Sequence, residues 1–512
     1  MKTILNRPWK EALLILLLLS PLLFFNVRDS HDWGDDFAAY LQQASNMVHG
    51  KSQDATGFIR NVDMPNSPPQ VYMPGFPMLL APVLYFFGDG IAALTRYLSF
   101  FMVGMGMLMY FLFRRQFSIL VSCCGTLLFF YNPAMVEFKT QVLSDLPFGF
   151  FFLWTLLLYR GSPRTWKNYL LMGVLSGLMI SIRSIGAVFP LAVLLYEVFR
   201  MRPWHQPARL LKTQGRTWLH LGLLLGAAGA VYGLLIKVLF PVHDNGFSGY
   251  GSMYSLHDLP ANLVIGAKYY SDEFLGFFLF NNDKWNLISK TISIGINTFF
   301  LVGFGWKLYR RPELQEWILL LYFLVLFSYG DHSSSFRYLL PVFPLILYYA
   351  CYGLSRVWLF VPLPAYLPAL LFSGLVLTQS LPELQNISAA RHETVFGPQH
   401  PDGKELIQFI RTHTGKDDII CFGRARALSY YAGRYSFYPA YQGDPDFFEE
   451  NFRHMHVSYI IQFPHNWNWD LHNGLLDDYI RKYRSSLDSV WSNANFIVYR
   501  FHAESAPAPG RN

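Results

Sequence analysis

Runs of about 17–25 apolar residues recur along this chain, separated by short segments rich in Lys and Arg. Few architectures tolerate that pattern. Backbone amides inside a bilayer must satisfy one another, so apolar runs of this length fold as membrane-spanning helices. Composition agrees: 52% of the residues are hydrophobic, 18% aromatic and only 15% charged, where a soluble domain carries about 25% charged residues. The formal net charge of +7 does not point to nucleic acid, because the excess Lys and Arg sits in short inter-span loops, as a positive-inside topology requires. The expected fold is therefore an α-helical polytopic membrane protein.

The first span lies within Glu11 to Val27, after a basic start of Lys2, Arg7 and Lys10. No small-residue cleavage site follows it. Arg28-Asp29-Ser30-His31-Asp32 comes directly instead, so the segment reads as an uncleaved span with a cytoplasmic N-terminus. Arg114-Arg115, then Arg160, Arg164 and Lys167, then Arg200, Arg202, Arg209, Lys212 and Arg216, then Lys307, Arg310 and Arg311, and finally Arg356 all fall on the inner side. The loops opposite them are 28–90, 131–144, a turn near 184–186, 241–290 and 330–336, which are acidic, neutral or weakly charged. About eleven spans result, within a range of ten to thirteen because several are short. Cys123, Cys124, Cys351 and Cys421 show neither a disulfide framework nor zinc spacing.

The character of the chain changes near Leu381, giving a membrane part over 1–380 and an outer domain over 381–512. Lys404 to Thr412 reads as an amphipathic helix, and 418–422, 457–462 and 495–500 as strands. A small extracytoplasmic α/β domain is expected. His454 and His456 lack metal-ligand spacing.

Candidate chemistry clusters in the outer loops. Trp33-Gly34-Asp35-Asp36-Phe37-Ala38-Ala39-Tyr40 places two adjacent carboxylates just beyond the first span, at the start of a helix running to about His49. Helix N-termini favour carboxylates, but one would suffice. Asp145, in Leu143-Ser144-Asp145-Leu146-Pro147, opens a later span; it reads as a helix cap or as a second active-site acid that orients the acceptor or supports the first. Arg183 and Arg337 lie at the outer ends of spans, against the positive-inside bias. They read either as headgroup anchors or as phosphate ligands, since a guanidinium suits bidentate phosphate contacts. The loop 241–290, with His243, Asp244, Lys268, Tyr269, Tyr270, Asp272 and Glu273 after Gly246, Gly249 and Gly251, reads as a lid or acceptor-binding loop. The spans carry no ladder of ionisable residues, which weighs against a proton-coupled transporter.

The arrangement resembles the GT-C superfamily of membrane glycosyltransferases, in the branch of protein O-mannosyltransferases and lipid A aminoarabinose transferases. Four segments over about residues 1–380 carry the likeness: Asp35-Asp36-Phe37-Ala38-Ala39-Tyr40, Tyr72-Met73-Pro74-Gly75-Phe76-Pro77, Ser144-Asp145-Leu146-Pro147 and Arg337-Tyr338-Leu339-Leu340-Pro341. Many members have Glu where this chain has Asp36, so either Asp35 or Asp36 aligns with the family's catalytic acid. The resemblance implies transfer of a sugar from a polyprenyl-phosphate donor to a glycan, lipid or protein acceptor on the outer face of a cell membrane, most simply the bacterial inner membrane. It implies inversion at the anomeric carbon, with Asp35, Asp36 and Asp145 as catalytic acids and Arg183 and Arg337 on the donor phosphate. Tyr40, Tyr72, Tyr338 and Lys268 would contact substrate. No cofactor is expected, although oligosaccharide-transferring relatives use a divalent metal with acidic pairs. The rival reading is a transporter or flippase of a lipid-linked sugar.

Overall fold

The computed structural model describes residues 8–502 apart from 62, 65–67, 162–163, 202–214, 243–256, 278–286, 331–334, 359–363, 365, 441 and 464–472. In chain order the membrane part contains α1 (Pro8–Leu19), α2 (Asp36–Val48), α3 (Gly75–Phe87), α4 (Ile91–Arg114), α5 (Ile119–Phe130) and α6 (Pro133–Phe138). It continues with α7 (Asp145–Gly161), α8 (Trp166–Ile182), α9 (Val188–Met201), α10 (Gly215–Gly233) and α11 (Leu259–Gly276). It ends with α12 (Leu287–Arg310), α13 (Leu314–Ser328), α14 (Phe343–Trp358) and α15 (Leu367–Ala389). Among the described residues, five helical segments are long and apolar enough to cross a bilayer: Ile91–Arg114, Ser184–Met201, Gly215–Leu239, Lys290–Arg310 and Leu367–His392. The other apolar runs form shorter helices; α5 has 12 residues and α13 has 15. At 1.5 Å per residue these cover roughly 18–23 Å of a hydrocarbon layer about 30 Å thick. Five segments among the described residues thus meet the length for a full span, where hydropathy led to an expectation of about eleven spans, several of them short.

Close helix packing builds the frame: α4 lies on α7, α7 on α8, α8 on α10, α11 on α13, and α12 on α14. At the α12–α14 crossing, a Cβ on Gly303 would sit 2.0 Å from the Tyr349 carbonyl oxygen, and one on Gly353 would sit 2.0 Å from that of Phe299. Small residues allow backbone-to-backbone contact in a medium where hydrophobicity itself does not pull helices together.

The C-terminal tail contains α16 (Pro401–His413), β1 (Ile419–Cys421), α17 (Ala425–Ala432), β2 (Tyr435–Phe437), α18 (Pro445–His454), β3 (Val457–Gln462), α19 (Asn473–Lys482), β4 (Leu487–Ser492) and β5 (Ile497–Phe501). The sheet order is β2-β1-β3-β5-β4. β1 pairs parallel with β2 and β3, while β5 pairs antiparallel with β3 and β4. β2 and β4 escape the sequence reading because β2 has three residues and β4 is mostly exposed, so neither alternates clearly. α15 continues through Leu381 to Ala389, so the membrane helix ends later than the polar shift suggests.

Tail and membrane part share one core. Trp33 is fully buried and meets Phe422 and Phe496 edge to face, with ring centroids 5.4 and 5.8 Å apart. α2 packs on both α3 and α17. The segment around Phe58 lies along β2, with a bridge to Ser436. The acid-bearing helix is therefore wedged between the membrane helices and the tail.

Candidate active site

Asp35 and Asp36 sit at the N-terminus of α2, where the aligned backbone dipoles favour negative charge. They do different things. Asp35 holds the N-cap position but makes no side-chain cap to its own helix. Its Oδ1 accepts backbone N–H bonds from Arg426 (3.1 Å) and Ala427 (3.2 Å), so it caps α17 of the tail. Its other oxygen faces Arg426 Nε at 3.8 Å. Burial pushes its carboxyl up to about 6, against the pull of the Arg426 and Arg424 charges and the Ala427 N–H.

Asp36 turns into the cleft. Its Oδ1 accepts from the Tyr72 hydroxyl at 2.5 Å, and its Oδ2 accepts from Arg337 Nη1 at 2.7 Å. Arg426 Nη1 stands 3.6 Å from Oδ1. About a third of the side chain (32%) stays open to the cavity, compared with 7% for Asp35. Burial alone would raise its pKa, but Arg337 and Arg426, with the Tyr72 hydrogen bond, outweigh that and hold it at about 2.

Asp145 opens α7 and is fully buried. Its Oδ1 accepts from Arg183 Nη1 at 2.5 Å and its Oδ2 from Arg337 Nε at 2.9 Å. Both oxygens are committed, so Asp145 clasps two guanidiniums and has no free face for a proton from substrate. Arg183 also reaches Ser144 Oγ at 3.3 Å, and the Tyr40 hydroxyl lies 3.3 Å from the same oxygen. Burial, with the Asp36 charge adding, pushes the Tyr40 phenol up to about 12, so it remains a hydrogen-bonding group. The Tyr338 ring lies 4.8 Å from the Arg183 guanidinium and 5.9 Å from that of Arg337. Both arginines point into the protein toward the cleft. They are 16% and 17% exposed, enough to meet a ligand.

A cavity of about 810 Å³ is lined by Asp35, Asp36, His31, Arg424 and Arg426 among others, while Asp145 and Ser144 lie behind its wall. Asp36, Arg183, Arg337, Tyr40, Tyr72 and Tyr338 all converge there. Lys268 does not: it is exposed on α11, outside the cavity lining. The part of the expected lid from Leu259 to Gly276 is an 18-residue helix, with Pro260 favouring its first turn. His243, Asp244, Gly246, Gly249 and Gly251 lie outside the described residues. Among the described residues, no three His, Cys, Asp or Glu side chains converge as a metal site requires. Asp35 and Asp36 also diverge, one spent on peptide N–H groups and the other on Tyr72 and Arg337.

Arg426 is a cavity-lining residue that the sequence reading did not single out. It donates from Nη1 to the Tyr72 hydroxyl at 2.6 Å and from Nη2 to the Pro69 carbonyl. Its guanidinium packs 4.6 Å from the Tyr72 ring and 4.9 Å from that of Phe58. The available signal is Phe422-Gly423-Arg424-Ala425-Arg426, two arginines straddling the start of a helix directly after a strand.

No protein-family model matches this chain, and no curated protein sequence does. Solved structures do. The likeness to ArnT from Cupriavidus metallidurans bound to undecaprenyl phosphate covers 98% of this chain and 100% of that one, with 13% identity and a TM-score of 0.53. The likeness to the archaeal oligosaccharyltransferase AglB from Archaeoglobus fulgidus, in complex with an inhibitory peptide and a dolichol-phosphate, covers 97% of this chain and 75% of that one, with 11% identity and a TM-score of 0.54. The chain therefore shares its fold with these two proteins over nearly its whole length, tail included.

Proposed function

We propose that this chain is an integral-membrane glycosyltransferase. In this reading it moves a sugar from a polyprenyl-phosphate donor to an acceptor hydroxyl on the outer face of the membrane, with inversion. One observation carries the reading: in a GT-C-like fold, a cavity-facing carboxylate, Asp36, stands beside two arginines held by a third group, Asp145. The two solved neighbours that carry undecaprenyl phosphate and dolichol-phosphate support a lipid phosphate as the donor's leaving group.

The chemistry follows from these positions. The acceptor oxygen attacks the anomeric carbon, the bond from that carbon to the phosphate oxygen breaks, and the lipid phosphate departs with the electron pair. Arg183 and Arg337 stabilise the charge that develops on it; they are fixed in advance by Asp145, so little reorganisation is needed. The acceptor proton passes to Asp36 as general base. At a pKa of about 2 Asp36 is a weak base in the free protein. A donor phosphate on Arg337 draws that guanidinium's charge away and raises Asp36 toward the ordinary carboxylate range when a base is needed. Tyr72 and Arg426 keep its other oxygen oriented. Asp35 acts as the latch that docks the tail. The step uses these side chains alone, with Asp35 and Asp36 turned to different partners.

The test is purified protein in detergent with synthetic polyprenyl-phosphate sugars and an acceptor pool from the envelope. It is paired with mass spectrometry of envelope glycans and lipids with and without the protein. One sugar residue should be missing when Asp36 is replaced by Asn. An unchanged envelope, together with no transfer from any polyprenyl-phosphate sugar, refutes the proposal. Transport of an intact lipid-linked sugar without transfer would favour the flippase reading.

A further inference from the structure

A second cluster of cations lies at the far ends of the helices that build the acid cleft. α8 carries Arg183 at its C-terminal end and Tyr169 in its first turn, 14 residues earlier, which is about 21 Å along the axis. At that end a pocket of about 220 Å³ is lined by Arg164, Tyr169, Arg200, Arg216, Thr217 and His220. Its parts come from the α7–α8 connection, α8, α9 and α10, so the pocket is a product of packing and not of one basic loop. Glu197 of α9, fully buried, lies behind the pocket wall and holds two of its arginines. That carboxylate pairs with Arg164 (3.4 Å) and Arg200 (2.7 Å) and accepts from the Tyr159 and Tyr169 hydroxyls at 2.6 and 3.3 Å. The two arginines are thereby held in place while remaining 42% and 43% exposed.

Arg216 adds a third guanidinium that pairs with no carboxylate among the described residues. Three cations against one carboxylate leave the pocket at +2 with His220 neutral. The His220 ring stacks on Tyr169, with centroids 4.9 Å apart, and closes one wall. Trp166 is half exposed at the first position of α8, where an aromatic ring suits the depth of lipid headgroups. Planar, partly open guanidiniums at this depth match the oxygens of a phosphate group. The volume is also sufficient, since a water occupies about 30 Å³ of liquid.

We propose that this pocket binds a phosphate group at the membrane face opposite the acid cleft, supplied by an anionic lipid headgroup or by free phosphate. The site is separate from the donor phosphate position at Arg183 and Arg337 and does not depend on the catalytic reading. The experiment uses the full chain in detergent micelles. Native mass spectrometry follows titration with phosphatidylglycerol, with phosphatidylcholine as the zwitterionic control, and calorimetry follows titration with inorganic phosphate. Arg216→Gln should weaken the tightest phosphatidylglycerol adduct about tenfold, the scale of one lost charge-assisted pair, and Arg216→Lys should recover part of it. Arg216 is exposed and anchors nothing in the core, and unchanged thermal melting checks that the variant folds. Arg216-dependent binding of the lipid alone identifies a headgroup site. Arg216-dependent binding of inorganic phosphate identifies a site served from the aqueous phase. If neither ligand distinguishes wild type from Arg216→Gln, the proposal is overturned.

Discussion

Replacing Asp36 by Asn and, separately, Asp35 by Asn puts the division of labour between two adjacent acids to a direct test. Asp36→Asn keeps the size of the side chain and one carbonyl acceptor, so the amide can still take the Tyr72 hydroxyl or Arg337, but it can no longer accept a proton. Loss of a general base costs about 10²–10⁴ in turnover, or roughly 3–5 kcal/mol of barrier at 1.36 kcal/mol per tenfold. Asp35→Asn keeps the carbonyl that accepts from the Arg426 and Ala427 N–H groups, and it removes a charge that burial disfavours. Turnover should therefore fall by less than about tenfold. Its signature is in stability. The folded-state value of about 6 for Asp35 lies above the ordinary carboxylate value, so the folded state binds that proton more tightly than the unfolded one. The contribution is complete below about pH 4 and is lost as pH rises through about 6. At about 1.4 kcal/mol per pH unit the wild type forgoes an upper limit of roughly 3 kcal/mol at neutral pH, a loss that Asp35→Asn escapes. Sugar transfer in detergent and melting temperature between pH 4 and 8 are the two assays. Asp36→Asn should be inactive and folded; Asp35→Asn should be active, with a flatter melting profile. Near-wild-type turnover in Asp36→Asn, or a folded but inactive Asp35→Asn beside an active Asp36→Asn, refutes the assignment.

Arg183→Lys and Arg337→Lys keep the charge and lose the planar fork; a donor titration at fixed acceptor should show a raised donor requirement or lower turnover with acceptor dependence unchanged. Unaltered donor kinetics in Arg183→Ala and Arg337→Ala would remove both from the phosphate site. The acid limb of kcat/KM should lie below pH 4, because Arg337 and Arg426 hold Asp36 at about 2, and that of kcat at higher pH, where bound donor has taken up Arg337; coincident limbs in steady-state profiles would exclude that exchange. Arg426→Gln should lower turnover about tenfold or more through the orientation of Tyr72 and Asp36, with donor affinity retained, and a variant with wild-type turnover would show the tail's arginine to be structural only. Cysteine labelling from outside should reach 28–70 and the tail but not 200–216; labelling of the tail only after membrane rupture would reverse the orientation and make a nucleotide-sugar donor the better candidate.

Features with a short range in sequence are legible from the chain itself. Apolar run length announces membrane helices because 1.5 Å per residue against a fixed hydrocarbon thickness is a local constraint. Asp35-Asp36, Ser144-Asp145, Arg183 and Arg337 stand out because charge at span ends is costly without a use, and the helix after the acid pair runs over Asp36–Val48, close to the expected limits. Chain pattern alone does not separate the two acids. Neighbours on a helix start are turned roughly 100° apart, and only the packed structure says that one direction meets the α17 N-terminus and the other the cavity. Nor does it find Arg426, which lies 391 positions from Asp35 and acquires its role only when the tail docks on α2. Asp145 reads as a second catalytic acid in the sequence, but both its oxygens are taken by arginines from two other helical segments. Lys268 shares its loop with plausible partners, yet its helix presents it away from the cleft. The sequence by itself determined that the chain is built of membrane-length apolar helices and carries paired acids and arginines at span ends, because hydropathy and charge are properties of single residues. Tertiary structure decided which of those charges meet, because hydrogen bonds act over about 3 Å and only folding brings residues so distant in the chain within that reach.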